Sequence, residues 1–434
     1  CKYSKQYLDS YNLKYEEILL DDDNKLKDFF ENINKNNKNE EIKTVPQIYI
    51  NSKRIGGFNE IYKYFRPTFD FKELAKITKV VTNNLDKVID INFYPVIETK
   101  ISNVKHRPLG IGVQGLADVF ALFKYSFDSD EAKSLNKKIF ATIYFAACQK
   151  SMEISKERSI QMEKLKPLLN SIPEYYHSDY TFNTTKSRPM SNSLVKLYHK
   201  LKPLKKELER DAYLGSYSSF QGSPISEGKF QFDLWNVEPI EEVDNLKLNW
   251  NSLKQDIKKY GIRNSLLLAP MPTASTSQIL SNNECIEPFT SNIYSRATLA
   301  GQFIVINKYL QDDLIRINLW NNDLKDEIIL KNGSIKQIEK IPKVIRNIYK
   351  ISWDLSMKSL IDLAADRGAY VCQSQSLNLW IENPSLAKLT SMHFYSWKKG
   401  LKTGIYYLRR RATSKAQTFS IEPKKEEECL MCSS

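Results

Sequence analysis

The apolar run Leu266–Leu268 continues into Ala269 and stops at Pro270. A short apolar run that ends at a proline is typical of a fully buried strand, and Ser265–Ala269 is therefore predicted as one. No apolar run approaches the roughly 18 residues that a membrane-spanning helix needs. The chain has 434 residues, of which 41% are hydrophobic and 26% are charged, so it can bury a sizeable core and is not a disordered chain. These features predict a folded α/β chain with no membrane span.

The net charge of +13 permits nucleic acid, membrane surfaces or phosphorylated substrates as partners. Much of the excess is local, because the segment 186–206 holds seven basic residues and no acidic one. Aromatic residues are sparse there, which favours a solvated insertion over a nucleic-acid groove. We therefore predict an insertion over 158–211 and no direct binding of nucleic acid.

Residues 1–65 have the pattern of a small α/β unit. An amphipathic helix is predicted from Lys2 to about Leu13, and Tyr15–Leu20 is predicted as a strand. A second strand is predicted at Val45–Ile50, followed by a closing helix at Asn59–Phe65.

The rest of the chain is predicted to be rich in helices. Phe71–Ile89 has helical periodicity, and Ser134–Glu157 is predicted as a long helix. Tyr349 and Trp353 begin an apolar series at helical spacing that stops at Gly368, which is predicted to be the C-terminal cap of that helix.

The C-terminal pair Cys429 and Cys432 can close a small disulfide on a solvated tail. The alternative is half of a zinc site, but no second cysteine or histidine pair accompanies it. The four histidines and the remaining cysteines show no ligand spacing, so no protein-built metal site is predicted.

Three other motifs have a structural alternative beside a chemical one. Residues 270–277 offer hydroxyls and backbone N–H groups after a buried strand, which suits a phosphate or an ordinary helix cap. The adjacent pair Tyr406 and Tyr407 is usual for packing. Cys1, at a helix start beside Lys2, is expected to have a lowered pKa, although the pattern Cys1-x-x-Ser4 is weak by itself.

From about residue 68 to 157, and from about 212 to the end, the chain resembles the C-terminal half of the large catalytic subunit of class I ribonucleotide reductases. The resemblance is carried by seven stretches: His106–Asp118, Lys259–Leu267, Pro270–Thr276, Glu287–Tyr294, Gln373–Asn378, Leu389–Tyr395 and Gly400–Arg409.

Residues 1–65 separately resemble a glutaredoxin. Cys1 and Ser4 stand at its active-site positions, and Ser4 replaces the second thiol, which implies glutathione mixed disulfides through Cys1. The first strand of that fold would precede Cys1. The glutathione-binding positions implied by the resemblance are Tyr3, Thr44, Val45, Pro46, Gly56 and Gly57, with Pro46 in a cis-proline corner.

The two resemblances imply an α/β fold: the second half of the ten-stranded α/β barrel of ribonucleotide reductases behind a partial thioredoxin-like domain. They place the glutaredoxin-like module at 1–66, the barrel region at 67–421 with the insertion 158–211, and a flexible redox-active tail at 422–434. The resemblance also implies a cytoplasmic protein.

The reductase resemblance implies removal of the ribose 2′-hydroxyl of ribonucleoside diphosphates by radical chemistry. Tyr406 and Tyr407 match the pair through which the radical arrives, and Cys429 and Cys432 match the thiols that re-reduce the active site. The substrate diphosphate is implied to bind at Thr273, Ala274, Ser275 and Thr276.

The implied partners are a radical-generating, metal-containing small subunit, a second large subunit, and thioredoxin or glutaredoxin with glutathione as reductant. No cofactor is expected on this chain itself. The thiyl-radical cysteine and the ATP/dATP effector region of the family lie upstream of the segment that starts near Pro67. Two alternatives follow: a non-catalytic remnant that binds the small subunit, or a glutathione-dependent thiol reductase acting only through 1–66.

Overall fold

The structure is a computed structural model, and it describes residues 1–35, 41–171, 192–298 and 301–411. Helices dominate this part of the chain, and its strands form four two-stranded sheets. Within the same residues, no helix is both long enough and apolar enough to cross a membrane.

The described residues of the N-terminal unit, 1–35 and 41–65, form three helices and one hairpin. Its elements are α1 (Lys2–Asp9), α2 (Asp23–Lys35), β1 (Ile48–Ile50), β2 (Lys53–Gly56) and α3 (Phe58–Tyr64). The two strands pair antiparallel, and the two residues between them, Asn51 and Ser52, both have positive φ, as the tight hairpin turn requires.

The strand predicted at Tyr15–Leu20 is wrong, because these residues form no regular element. Their backbone pairs with no other strand among the described residues. Ile18 and Leu19 are 81% and 63% exposed, so the apolar pattern that suggested a buried strand has no core to pack against. The first helix is confirmed but ends at Asp9, before the predicted Leu13.

The remainder of the chain holds fourteen described helices and six strands. The helices are α4 (Phe71–Ile91), α5 (Ile97–His106), α6 (Leu116–Leu122), α7 (Asp130–Asn170), α8 (Asn192–Leu201), α9 (Lys205–Leu208), α10 (Gln231–Leu234), α11 (Trp250–Tyr260), α12 (Thr276–Ile279), α13 (Lys308–Arg316), α14 (Asn322–Leu330), α15 (Lys343–Ile348), α16 (Met357–Gly368) and α17 (Leu386–Lys398). The strands are β3 (Glu242–Val243), β4 (Leu246–Lys247), β5 (Ile293–Thr298), β6 (Gly301–Ile306), β7 (Leu379–Trp380) and β8 (Leu408–Arg409).

The two predicted long helices, α4 and α7, are confirmed and pack against each other. Side chains cap both N-termini: Asp70 accepts a hydrogen bond from the Glu73 N–H, and Ser129 accepts one from the Ala132 N–H. The apolar side chains of α7 between 132 and 152 are buried in the main core, so this helix is a central support of the fold.

The predicted strand Ser265–Ala269 is extended, and Leu267 and Leu268 are buried. It forms a parallel bridge between Leu268 and Ile111 rather than a continuous ladder. On one side the N–H groups of Leu109 and Ile111 bond to it at 2.9 and 2.8 Å, and on the other side Gln373 donates to the Leu268 carbonyl at 3.2 Å. Backbone hydrogen bonds therefore hold this segment on both sides.

Arg107 joins these segments to α4. Its buried guanidinium donates to Asp86 at 3.0 Å and to both carboxylate oxygens of Asp90 at 2.7 and 2.9 Å. The Asn264 amide donates to Asp86 at 2.9 Å and to the Arg107 carbonyl at 3.1 Å, and it accepts from Ser151 on α7 at 2.7 Å. One buried polar network thus fixes α4, α7 and both extended segments relative to one another.

The predicted helix that contains Tyr349 and ends at Gly368 is partly wrong. Tyr349 and Trp353 lie between α15 and α16, because the Ser356 side chain caps α16 by accepting from the Ser359 N–H. Gly368 is the last residue of α16, but Ala369 after it is right-handed, so no glycine cap is present. A Cβ at Gly368 would lie 2.4 Å from the Trp235 ring, so packing requires the glycine.

The N-terminal unit shares a hydrophobic core with the barrel region. Tyr7, Ile61 and Tyr62 pack in one cluster with residues of α13–α15, including Leu314 and Ile345. A buried carboxylate, Asp313, lies in this interface.

Asp313 accepts hydroxyl hydrogen bonds from Tyr62 of the N-terminal unit and from Tyr349 of the barrel region. The Lys124 Nζ atom lies 2.6 and 2.7 Å from its two carboxylate oxygens. The negative charge is therefore paired and hydrogen-bonded, which is the condition under which a buried carboxylate is tolerated.

We expect Asp313→Ala to lower the free energy of unfolding by about 3–5 kcal/mol, because it leaves the Lys124 ammonium and two buried hydroxyls without their acceptor. Chemical denaturation measures the loss. Asp312→Ala is the matched control, since Asp312 is the exposed neighbour on the same helix. Equal midpoints for the two variants would show that this cluster does not stabilise the interface.

Candidate active site

Tyr406 and Tyr407 lie just before β8, and their ring centroids are 4.4 Å apart. The hydrogen bond with Tyr407 raises the pKa of the Tyr406 phenol. The Tyr406 N–H donates to the Leu377 carbonyl at 2.7 Å, and the Leu379 N–H donates to the Tyr407 carbonyl at 3.0 Å. The two residues are 47% and 50% exposed, so the pair is not the packing motif that adjacent tyrosines usually form.

Two residues that sequence reasoning did not select, Asn378 and Glu287, lie behind this pair. The Asn378 Oδ1 atom accepts from the Tyr407 N–H at 3.1 Å, while its Nδ2 donates to the Glu287 carboxylate. Both residues fall inside motifs of the reductase resemblance, and that position was the signal that could have found them.

Burial raises the pKa of the Glu287 carboxyl to about 7, and the hydrogen bond from Asn378 opposes this rise. The guanidinium groups of Arg409 on β8 and Arg367 on α16 also lower the pKa of the Glu287 carboxyl. The Arg409 group lies 5.0 Å from the centroid of the Tyr407 ring. The pKa of Arg367 is itself lowered by burial to about 10. A titratable group with a near-neutral pKa therefore lies directly behind the tyrosine pair.

The hydroxyl loop, Thr273–Thr276, follows the extended segment, and its last residue, Thr276, is the first residue of α12. The Thr273 Oγ1 atom accepts from the Cys285 N–H at 2.7 Å, and the Thr276 hydroxyl donates to the Gln114 side chain at 3.0 Å. Ala274, Ser275 and Thr276 are exposed, so their polar groups can reach a ligand. Gln114 is a further loop contact that sequence reasoning missed.

The segment 283–287 connects the hydroxyl loop to the tyrosine pair. Its Cys285 N–H contacts Thr273, and its Glu287 carboxylate contacts Asn378. A cavity of about 10 Å³ lies beside it, lined by residues that include Glu287, Arg367 and Asn378. The structure therefore brings together two of the predicted sites that are 130 residues apart in the chain.

The cysteines of the barrel region have the wrong environment for a reactive thiol. Burial raises the pKa of Cys285 to about 12 and also raises the pKa values of Cys148 and Cys372. Thiols of this kind stay protonated near neutral pH.

Cys1 is exposed and stands at the N-cap of α1. The Val45–Pro46 peptide bond is cis, and a Cβ at Gly57 would lie 3.4 Å from the Pro46 carbonyl oxygen, so these two predicted glutathione contacts are neighbours. Gly56 has a φ of +127°, which favours glycine.

Of the other predicted glutathione contacts, Tyr3 is partly buried, whereas Thr44 and Val45 are exposed. The Tyr3 hydroxyl donates to the Lys340 carbonyl at 3.1 Å, across the interface with the barrel region. The Thr44 carbonyl accepts from the Gln47 side chain at 2.7 Å, and Val45 is half-exposed.

Residues 50–407 match the family "Ribonucleotide reductase, barrel domain", and residues 1–55 match the family "Glutaredoxin". The first match covers most of the chain. The chain belongs to the ribonucleotide reductase barrel-domain family. The predicted fold class, a reductase barrel region behind a glutaredoxin-like unit, is confirmed.

The chain is similar to ribonucleoside-diphosphate reductase large subunits of several eukaryotes. It is 48% identical to that of Trypanosoma brucei brucei over 82% of this chain and 37% of the relative. It is 44% identical to that of Caenorhabditis elegans over 84% of this chain and 41% of the relative. The chain thus spans about two fifths of the length of these relatives.

A solved structure with a similar fold is the Actinobacillus ureae class Id ribonucleotide reductase alpha subunit. The TM-score is 0.50 at 22% identity, over 79% of this chain and 48% of that one. This likeness supports the barrel-region fold.

Two predictions about the reductase chain remain predictions. The two family matches overlap at residues 50–55, so the boundary at residue 66 is not fixed by them. Cys429 and Cys432, together with the tail 422–434, lie outside the described residues, as do residues 172–191 of the insertion 158–211.

The raised pKa of Glu287 predicts a pH-dependent stability. Since the fold favours the protonated carboxyl, its contribution is full below the ordinary pKa of glutamate and is lost as the pH rises through about 7. The native chain loses this contribution as the pH rises, whereas Glu287→Gln has no carboxyl to titrate. We therefore expect the free energy of unfolding of Glu287→Gln, relative to that of the native chain, to rise by on the order of 3 kcal/mol between pH 4.5 and 8.

Denaturation of both chains across this pH range measures the difference. Glu238→Gln, at an exposed position of the same region, is the control and should give a flat difference. If the difference in free energy of unfolding between Glu287→Gln and the native chain were also independent of pH, the raised pKa would be contradicted.

Proposed function

We propose that this chain is part of a ribonucleoside-diphosphate reductase large subunit, in which Tyr406 and Tyr407 carry a radical toward a bound ribonucleoside diphosphate. The observation that supports this most directly is the exposed, ring-to-ring contact of the tyrosine pair, linked through 283–287 to the hydroxyl loop. A non-catalytic remnant would have no need for an exposed tyrosine pair that is linked to a hydroxyl loop.

In the proposed reaction, each tyrosine gives up one electron and its phenolic proton, and then regains both from the next group. Contact between the Tyr406 and Tyr407 rings keeps the distance of this exchange short. The metal centre of a small subunit would supply the initial oxidising equivalent. This chain's own contribution is to hold the two phenols in register.

The substrate diphosphate is proposed to bind the hydroxyl loop. Ser275 and Thr276 carry exposed hydroxyls, of which that of Thr276 donates to Gln114 in the structure, and the Thr273 contact with Cys285 fixes the loop from behind. Hydrogen bonds to phosphate oxygens are charge-assisted and therefore strong.

The proposal assigns re-reduction to the tail thiols Cys429 and Cys432, which are themselves reduced by thioredoxin or glutaredoxin. The glutaredoxin-like unit on the same chain would raise the local concentration of reductant through Cys1 and glutathione. A large-subunit homodimer, a cytoplasmic location and ATP/dATP effectors bound elsewhere on the large subunit also belong to the proposal.

An apolar surface formed by α4, α5 and the segment between them is consistent with a chain that spans only part of the large subunit. Nine large apolar residues there are at least 40% exposed: Ile77, Val80, Val88, Ile91, Phe93, Val96, Ile97, Ile101 and Val104. A face of this kind marks an interaction site. We propose that the part of the large subunit that this chain does not span covers it, since the chain matches only about two fifths of its relatives.

Mixing this chain with the unmatched part of the Trypanosoma brucei large subunit and a small subunit is expected to give ribonucleoside-diphosphate turnover. Tyr407→Phe should abolish turnover, because a phenylalanine ring has no phenolic proton to lose. Tyr395→Phe is the matched control and should retain turnover, since the Tyr395 hydroxyl donates to the Asp362 carboxylate at 2.7 Å.

Ile91→Asp separates assembly from chemistry in the same mixture. It should weaken binding of the unmatched part and lower turnover, whereas Tyr407→Phe should leave that binding intact. No turnover from a verified folded complex would contradict the proposed reductase function and favour the remnant.

The exposed thiol of Cys1 and the glutaredoxin match favour a second activity in residues 1–66. We expect Cys1→Ser to remove glutathione–disulfide exchange. Cys372→Ser, a thiol in the barrel region, should leave it unchanged. Exchange that persists in Cys1→Ser, or its absence from the native chain, would contradict this role.

A further inference from the structure

We propose that Asn378 and Glu287 are positioning residues for Tyr407, which hold the tyrosine pair in register with the segment that supports the hydroxyl loop. The role in radical transfer rests on the proposed function, whereas the coupling of Glu287 to Tyr407 does not.

Asn378 is suited to this role because its amide oxygen and its amide nitrogen both make hydrogen bonds. Its Oδ1 atom accepts from the Tyr407 N–H at 3.1 Å, and its Nδ2 donates to Glu287. The side chain is buried, so water does not compete for either bond. The position of the Tyr407 backbone therefore depends on where Glu287 lies.

The segment that carries Glu287 is itself fixed at three further points. The Asn283 N–H donates to Asp118 at 2.7 Å, and the Asn283 side chain donates to the Glu287 carbonyl at 2.6 Å. The Cys285 N–H donates to Thr273 at 2.7 Å. Glu287 is thus a fixed point to which Asn378 can hold the tyrosine pair.

Charged groups face Glu287 from each element around it: Glu284 on its own segment, Arg367 on α16 and Arg409 on β8. Arg409 also lies over the Tyr407 ring, at 5.0 Å from its centroid. A change in the charge of Glu287 therefore reaches Tyr407 by two routes, the Asn378 amide and the Arg409 guanidinium.

The coupling is tested in the full chain with 4-fluorophenylalanine in place of Tyr407, because this ring has no phenol that titrates. We expect the ¹⁹F chemical shift to change in one step with a midpoint near pH 7. Glu287→Gln should remove the step, and Asn378→Ala should remove or greatly reduce it.

His393 supplies the control, since its imidazole lies near the pair: a Cβ at Gly404 would lie 3.8 Å from its Nδ1 atom. His393→Gln should leave the step in place. A step that persists in Glu287→Gln, or that vanishes in His393→Gln, would overturn the coupling. A step lost in Glu287→Gln but unchanged in Asn378→Ala would overturn the role of Asn378.

The positioning role is tested by turnover in the reconstituted complex. Asn378→Ala should lower kcat by about 10²-fold with little change in KM, because a displaced tyrosine slows transfer without touching the substrate. Glu287→Ala should lower kcat similarly, and Glu287→Gln should restore most of it, because an amide can still accept from Asn378.

An unchanged kcat in Asn378→Ala, or a loss confined to KM, would overturn the positioning role. A native complex without any turnover would refute the proposed reductase function instead. The fluorine measurement would still decide the coupling, because it needs no turnover.

Discussion

The buried Arg107 guanidinium is the interaction on which the rest of the barrel region depends. The guanidinium donates to two carboxylates of α4, Asp86 and Asp90. The backbone carbonyl of the same residue accepts from Asn264, at the start of the central extended segment. A guanidinium with several fixed partners admits one orientation, so these bonds set the register of the parallel segments 107–111 and 264–270. The hydroxyl loop begins where the second of these segments ends. The position of that loop is therefore a consequence of a polar network in the core.

The candidate site combines this fixed part with an exposed one. The hydroxyl loop is supported by hydrogen bonds to Cys285 and Gln114, whereas the tyrosine rings are about half-exposed. Between them, the Glu287 carboxyl is the one group in the described part of the site whose pKa burial raises to about 7. Preorganised contacts behind an accessible group are the arrangement that the proposed radical transfer needs.

Local signals in the sequence predicted helices well where a periodic pattern was sufficient. Both α4 and α7 form as expected, although α7 extends beyond the predicted Ser134–Glu157 at both ends. The pattern failed at Tyr15–Leu20, because an apolar stretch becomes a strand only when a neighbouring strand and a core are present. It also misjudged Gly368, whose missing Cβ makes room for Trp235, a residue far away in the chain.

The sequence by itself determined the family, the tyrosine pair, the hydroxyl loop and the buried run before Pro270, because each is a contiguous pattern of residue types. Only the tertiary structure decided that Glu287 and Asn378, 91 residues apart, would meet behind Tyr407. The same holds for Asp313, which joins Tyr62 to Tyr349 across two units. Such contacts depend on how helices and strands pack, and burial in that packing, rather than the local sequence, sets the pKa of Glu287.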